Sequence, residues 1–283
     1  MNETPATERR NPRTGDLDRL TTRELVETLV REQREAVTAV ERASAELALA
    51  VDEIAMRLGS GGTLHYAGAG SSGRIAFLDA SEMPPTFGTD PALVCAHIAG
   101  GRDALTRAIE GAEDDGDAGD RELRGHAKSG DAAVGLSASG AAPFVVRALG
   151  AAREAGAWTL AIVNNPGSPL AAAADLAIVL DTGPEALAGS TRMKAGTAQK
   201  VALNTISTAV MVKLEKVYDN LMVDVVATNV KLRKRALHLV MQLVPADEEH
   251  AARLLQAADW RVKIAVVMGR KSLSAPEARA LLE

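Results

Sequence analysis

Aromatic side chains are almost missing from this sequence. They make up 2% of its 283 residues: two tryptophans, two tyrosines and three phenylalanines. A platform for single-stranded nucleic acid stacks bases on such rings, so that class of function is disfavoured. The core has to be built from alanine, valine, leucine and isoleucine. An excess of positive charge is missing as well. Thirty-two Lys and Arg stand against 37 Asp and Glu, for a net charge of −5. With no basic stripe, nucleic acid is not an expected partner, and a bound anion must be held by helix N-termini and a few local cations. Cysteine occurs once, at Cys95, so no intrachain disulfide can form. No apolar run approaches the roughly 18 residues of a membrane span. The longest candidate, 170–180, is mostly alanine and carries Asp175. Met1–Arg10 is polar and lacks the apolar centre of a secretory signal. The sequence therefore reads as a soluble, cytoplasmic chain with no membrane partner. Apolar residues at 47% and charged residues at 24% are an ordinary globular balance.

What is present falls into three stretches. The first twenty residues are polar and read as an extended arm. Thr21 and Glu24 then have capping-box spacing. Leu25, Leu29, Ala36, Val40, Ala43, Leu47, Val51, Ile54 and Leu58 recur at helical spacing and predict one long helix or two. From Thr63 short strand-like runs alternate with helical segments, at 63–67, 94–98, 132–136, 159–163 and 176–180. This alternation predicts an α/β layer fold around a parallel sheet, whose ligands lie outside the carboxyl ends of the strands. After Gly196 the chain reads as helical again. Segment 225–244 is amphipathic, with Lys231, Arg233, Lys234 and Arg235 as a basic face that reads as solvated in preference to an anion patch, and Ser274 with Glu277 repeats the capping-box spacing near the end.

Three loops carry the chemistry. Gly68-Ala-Gly-Ser-Ser-Gly-Arg74 follows the first strand and fits G-x-G-x-x-G. The next strand runs into Ala99-Gly-Gly101, not into the acidic residue that a dinucleotide ribose needs. Ser71 and Ser72 instead suit a compact phosphate monoester beside free backbone N–H groups, in preference to a ligand-free tight turn. Ser137-Ala-Ser-Gly140 follows the third strand, with Ser139 and a helix start at Pro143. Gly189-Ser-Thr-Arg-Met-Lys-Ala-Gly-Thr197 is the third hydroxyl-rich loop, offering Ser190, Thr191 and Lys194. Among carboxylates, Glu82 precedes Pro84 and Pro85, a pattern that predicts a rigid, non-helical setting. Glu113 lies in an acidic run, 110–115, that on composition alone reads as a solvated helix end. The histidines His65, His97, His126, His238 and His250 are scattered, without H-x-x-x-H or Cys/His pairing, so metal chemistry is not expected. Neither a nucleotide-triphosphate loop nor a G-x-S-x-G elbow is present.

Several of these segments together resemble one family. The runs 68–74, Asp79-Ala-Ser-Glu-Met-Pro-Pro-Thr-Phe-Gly88 and Gly189 through Lys200 are similar to those of the N-acetylmuramic acid 6-phosphate etherases. So are 110–115, Thr7-Glu-Arg-Arg-Asn11 and Tyr218 through Asn229. The resemblance covers nearly the whole chain. It implies a sugar isomerase (SIS) domain, a three-layer α/β/α sandwich with a parallel sheet, a helical N-terminal segment and a small helical C-terminal domain. The corresponding division is 1–58, 59–224 and 225–283. It also implies a homodimer acting on a small sugar phosphate, and cleavage of a D-lactyl ether without metal or redox cofactor. The family's proton-donor glutamate matches Glu82 and its second catalytic glutamate matches Glu113, which replaces the solvated reading of the acidic run. Two departures stand out. Where the family usually has Ser-Gly-Arg-Thr-Pro-Tyr, this chain has Ser139-Gly-Ala-Ala-Pro-Phe144, so that Ala141 and Ala142 replace an arginine and a phosphate-holding threonine. Glu215 and Asp219 stand where glycines are usual. A non-catalytic sugar-phosphate sensor on the same scaffold is the second reading; the pair Glu82 and Glu113 favours an enzyme.

Overall fold

The structure, a computed structural model, describes residues 4–225 and 230–282. The chain divides into two compact units: Met1–Ala80 with Ala92–Val210, and Ser81–Pro91 with Met211–Glu283.

In the first unit the N-terminal residues are not an extended arm. They fold into 3-10 turns at Ala6–Glu8, Pro12–Thr14 and Leu17–Arg19, with Thr7 and Asn11 buried. The cause is long-range hydrogen bonding: Thr7 with Asn165, Asn11 with Glu32 and the Pro184 carbonyl, Thr14 with the Ala186 carbonyl. The helical stretch that follows is three helices, not one or two: α1 (Thr22–Glu32), α2 (Arg34–Arg42) and α3 (Ser44–Gly59). Thr21 caps α1 through a complete capping box with Glu24. At Gln33 and Ala43 the backbone tightens to bonds three residues back, onto Val30 and Val40, and each helix restarts one residue later.

Five strands follow: β1 (Leu64–Gly68), β2 (Val94–Ile98), β3 (Ala132–Ser137), β4 (Trp158–Val163) and β5 (Leu176–Val179). All pairs are parallel, in the order β2-β1-β3-β4-β5. The crossovers carry α4 (Gly70–Phe87), α5 (Gly116–Arg124), α6 (Pro143–Glu154) and α7 (Pro169–Ala173), and α8 (Lys194–Lys213) follows β5. The shortage of aromatics shows in the packing. One register row across the sheet is Ala67, Gly135, Ala161 and Ala177, and α6 settles on that face through Phe144, Val145, Ala148 and Leu149, all buried.

Glu82 is helical, against the sequence expectation. α4 runs through Pro84 and Pro85, because the proline φ of about −65° is itself helical. What the two prolines remove is the N–H that would reach back to the Ala80 and Ser81 carbonyls.

The second unit contains α9 (Val230–Leu243), α10 (Glu248–Ala257), α11 (Val262–Lys271) and α12 (Ala275–Leu282) around Leu232, Ala236, Leu239, Val240, Leu255, Val262 and Ala265. Lys231, Arg233 and Lys234 of α9 are exposed and Arg235 is half-buried. Residues 226–229 of the family-like run 218–229 lie outside the described residues. Glu215 and Asp219 adopt φ of 57° and 54°, a left-handed backbone in which glycine carries no Cβ penalty.

Candidate active site

The strand order reverses between β1 and β3, which makes their carboxyl ends the topological switch point of the sheet. Gly68 pairs with Leu136 across this seam. The 69–73 loop and the 137–142 loop therefore leave the sheet side by side, one strand spacing apart, about 4.8 Å. The glycines of the first loop have steric duties. A Cβ on Gly68 would lie 2.6 Å from the Gly73 nitrogen, and one on Gly73 would lie 2.5 Å from Ile98 Cγ1. Gly70 has φ +53°. The turn thus folds tightly onto the start of α4, where Ser71 and Ser72 sit among the N–H groups that a helix leaves without internal partners.

Two hydrogen-bond chains tie these loops together. In one, Ser72 Oγ donates to Gln199 Oε1 (2.8 Å), Gln199 Nε2 to Asn164 Oδ1 (3.1 Å), and Asn164 N to the Ala138 carbonyl (3.1 Å). In the other, Gly189 N donates to the Thr7 carbonyl, and Asn165 Nδ2 donates both to Thr7 Oγ1 and to the Ala138 carbonyl. The hydroxyls of Ser137 and Ser139 are 3.3 Å apart and accept from Gly140 N and Ala141 N, respectively. The bond between them uses only one of their two protons, so the other can be offered to a ligand. Ser71 is half-buried, Ser72 and Ser137 are buried, and Ser139 is exposed.

The third loop is built differently. At the start of α8 the buried carboxylate of Glu185 accepts from Lys194 N (3.0 Å) and Ala195 N (2.9 Å). That helix N-terminus is already held by a side-chain anion. Burial pushes the Glu185 carboxyl up, against these two bonds. The Lys194 ammonium has no exposed surface and lies 3.2 Å from Glu32 Oε2. Glu32, itself 3% exposed, also accepts from Asn11 and from Arg13, whose guanidinium grips both carboxylate oxygens at 2.7 and 2.8 Å. The Arg13 bonds pull the Glu32 carboxyl down to about 2, with Asn11 and Lys194 helping and burial opposing. Ser190 and Thr191 stay half-buried in the turn before α8.

The two candidate glutamates are exposed. Glu82 lies on α4, three residues beyond Asp79. That buried carboxylate accepts from Tyr66, Asn204 and Ser207, and burial pushes its carboxyl up. Glu113 lies in a 3-10 turn, Ala112–Asp114, just ahead of Asp115, which caps α5 by accepting from Ala118 N.

Three of the histidines that look scattered in sequence meet in space. His65 Nδ1 is 3.2 Å from His97 Nε2, the rings of His97 and His126 are 5.1 Å apart, and Glu122 lies 2.8 Å from His97 Nδ1. The pattern H-x-x-x-H does not reveal this group, because its sequence-local pair is Glu122-x-x-x-His126, across the end of α5. The residues that could hold a metal among the described ones are His97, Glu122 and His126, not the hydroxyl loops.

The chain matches the glucokinase regulatory protein N-terminal SIS domain over residues 46–153 and the SIS domain over residues 114–209. It is 49% identical over 280 residues to the N-acetylmuramic acid 6-phosphate etherase of Salmonella agona (strain SL483), a span of 99% of this chain and 94% of that one. To the N-acetylmuramic acid 6-phosphate etherase of Symbiobacterium thermophilum it is 49% identical over 261 residues, 92% of this chain and 87% of that one. Among solved structures, a phosphoheptose isomerase from Francisella tularensis superposes with a TM-score of 0.55 at 17% identity, covering 70% of this chain and 100% of its own. The phosphoheptose isomerase of Neisseria gonorrhoeae gives 0.52 at 20% identity, covering 69% and 100%. These two likenesses establish the fold.

Proposed function

The chain belongs to the N-acetylmuramic acid 6-phosphate etherase family, and we propose that it cleaves the D-lactyl ether of N-acetylmuramic acid 6-phosphate, yielding N-acetylglucosamine 6-phosphate and D-lactate. The observation that carries this is the 49% identity to a named etherase over 99% of the chain. The reaction is that of a carbon–oxygen lyase followed by hydration. In the open-chain aldehyde the carbonyl acidifies the C2 proton. A base removes it, the C3–O bond breaks, and an acid protonates the departing lactate oxygen. Water then adds its hydroxyl to C3 and a proton to C2. The net change is hydrolysis, with no electron transfer, and two carboxylates suffice for the proton transfers. Glu82 and Glu113 are the proposed pair. Ser71, Ser72, Ser137 and Ser139 at the switch point are the proposed phosphate cradle, supported by a paired hydroxyl with a proton to offer. Ser190 and Thr191 are the contribution of the third loop. Lys194 acts from behind it, through Glu32, to fix the turn.

The protein is further read as a cytoplasmic homodimer. Val26, Val30 and Val37 of α1 and α2 are 53%, 63% and 47% exposed, an apolar stripe of the kind a partner subunit covers. Among the described residues no helix is long and apolar enough to cross a membrane.

The direct test is incubation of the purified protein with N-acetylmuramic acid 6-phosphate and enzymatic assay of D-lactate. Release in step with N-acetylglucosamine 6-phosphate is expected. Binding of the sugar phosphate with no release would support the sensor reading instead.

A further inference from the structure

The buried row that begins at Asp131 contains one proton too few for its positions. His65 Nε2 lies 3.4 Å from Asp131 Oδ2, His65 Nδ1 lies 3.2 Å from His97 Nε2, and His97 Nδ1 lies 2.8 Å from Glu122 Oε1. Each of the three gaps between acceptors needs one proton or one cation, and two neutral imidazoles bring two protons. If both protons point toward Asp131, the His97 Nδ1 lone pair faces the Glu122 carboxylate. If both point the other way, the lone pair of His65 Nε2 faces Asp131; that nitrogen has no hydrogen-bond partner of good geometry. Asp131 is fully buried and already accepts from Thr63 N and Lys128 N, so it is held as an acceptor.

A third proton on one ring is the first way to fill the row. It is opposed by the setting: His65 and His97 are 4% and 6% exposed, so an imidazolium here would have to give up its hydration. The second way is another cation at the end that opens to solvent. Glu122 is 44% exposed, and His126 is exposed one helical turn further on. His126 is set for the task. Its Nδ1 lies 2.6 Å from the Glu122 carbonyl, to which it donates, leaving the Nε2 lone pair as its ligand atom. One ligand atom from each of His97, Glu122 and His126 lies within 4.8 Å of the others.

We propose that His97, Glu122 and His126 bind a single divalent transition-metal ion of the zinc class. Two imidazoles and a carboxylate are a ligand set that zinc takes at about 2.0–2.2 Å, with a fourth position left for water. In the bound form the row is complete. His97 Nδ1 ligates, His97 Nε2–H donates to His65 Nδ1, and His65 Nε2–H points to Asp131. This is the histidine–carboxylate support that orients metal-bound imidazoles, extended by one ring. Only the two exposed ligands have to adjust; the buried one is already fixed by β2. The ion would join β2 to the end of α5, the end opposite to the turn carrying Glu113. The inference does not rest on the proposed etherase reaction.

The test uses the full-length protein, stripped with chelator, and metal alone. Titration calorimetry with zinc chloride should show one equivalent bound, and cobalt(II) should give visible absorption bands of a four-coordinate site with nitrogen ligands. His126→Ala and Glu122→Gln alter surface side chains and leave the fold intact. Each should weaken zinc binding by tenfold or more, and zinc should raise the melting temperature of the parent but not of His126→Ala. The absence of saturable binding at millimolar zinc would overturn the proposal. So would binding that either variant weakens less than tenfold, because the metal would then sit elsewhere, for example at His238 or His250.

Discussion

Two carboxyl groups, Glu82 and Glu113, distinguish the proposed enzyme from a binding protein. Glutamine keeps the size of glutamate but cannot deliver or receive the proton. Glu82→Gln and Glu113→Gln are each expected to lower the rate of lactate release by roughly 10²–10⁴-fold, with an unchanged circular dichroism spectrum. A folded Glu113→Gln protein working at the parent rate would return that residue to the role of a solvated charge. Neither glutamate stands out by burial or by a partner within the described residues, and composition alone places Glu113 in an ordinary acidic run. The resemblance to a family is what lifts it out. Lys194 teaches the converse. In sequence it is one of two cations in a flexible, hydroxyl-rich loop. In the structure its ammonium is fully buried against Glu32, a partner that no local pattern could reveal because it lies on α1.

At the scale of elements, local rules located most of the fold. The strand runs at 94–98 and 132–136 match β2 and β3 to within a residue, since apolar runs bounded by glycine and charge leave few alternatives. The Thr21 capping box is present as spaced. A local rule yields where it meets a tertiary one. Pro84 and Pro85 are accommodated inside α4, and the polar N-terminal residues are drawn into 3-10 turns by distant acceptors. Ala142 illustrates how finely an element boundary bears on function. Pro143 is the first residue of α6, and the residue before a proline is pushed out of the helical region. Ala142 accordingly has φ −58° and ψ 115° and is the N-cap, without a side chain that could cap. A threonine here would add a hydroxyl at the mouth of the helix, in the loop that carries Ser137 and Ser139. One hydrogen bond to a charged group contributes about 1.5–3 kcal/mol, or roughly 10- to 150-fold in affinity. Ala142→Thr should tighten binding of the sugar phosphate toward that range, Ser139→Ala should weaken it, and the unphosphorylated sugar should bind all three proteins alike. Calorimetry with the two sugars measures the contrast. If Ala142→Thr raises the melting temperature and leaves phosphate affinity unchanged, its hydroxyl has been taken by the helix, and the cradle must be sought in the turn of Ser190 and Thr191.

At the scale of the whole molecule, acid stability should be governed by one carboxylate. Glu32 joins the N-terminal turns through Asn11 and Arg13 to α1, and α1 to the start of α8 through Lys194. Its carboxyl sits at about 2, against 4.5 when unperturbed. A carboxyl with a depressed folded pKa contributes stability that is present in full above its unfolded value and disappears as the pH falls toward the folded one. The contribution is therefore complete at neutral pH and is lost between about pH 4.5 and 2. At 1.36 kcal/mol per pH unit it amounts to about 3 kcal/mol, a large share of a typical margin of 5–15 kcal/mol. Asp79 and Glu185 act with the opposite sign, because burial pushes their carboxyls up and acid relieves the cost of their charge. Glu24, Asp120 and Glu277 are also held low, by Thr21, Arg124 and Ser274 at the surface, where solvent screens the effect; Glu32 is the buried carboxylate on which acid sensitivity in this window centres. Replacing it by glutamine should remove that part of the pH dependence. The same change should also destabilise the protein at pH 7 by about 3–5 kcal/mol, since the Lys194 ammonium would remain buried without its counter-charge. Should Glu32→Gln be too unstable to purify, Arg13→Gln provides the milder probe. It removes the strongest bond to the carboxylate from a half-exposed position and should move the midpoint of acid unfolding to higher pH. Urea melts of parent and variant at pH 7, 5 and 3 read both effects. An Arg13→Gln protein that unfolds at the same pH as the parent would show that the arm contributes nothing to the carboxylate's depression, and that acid acts on the molecule somewhere else.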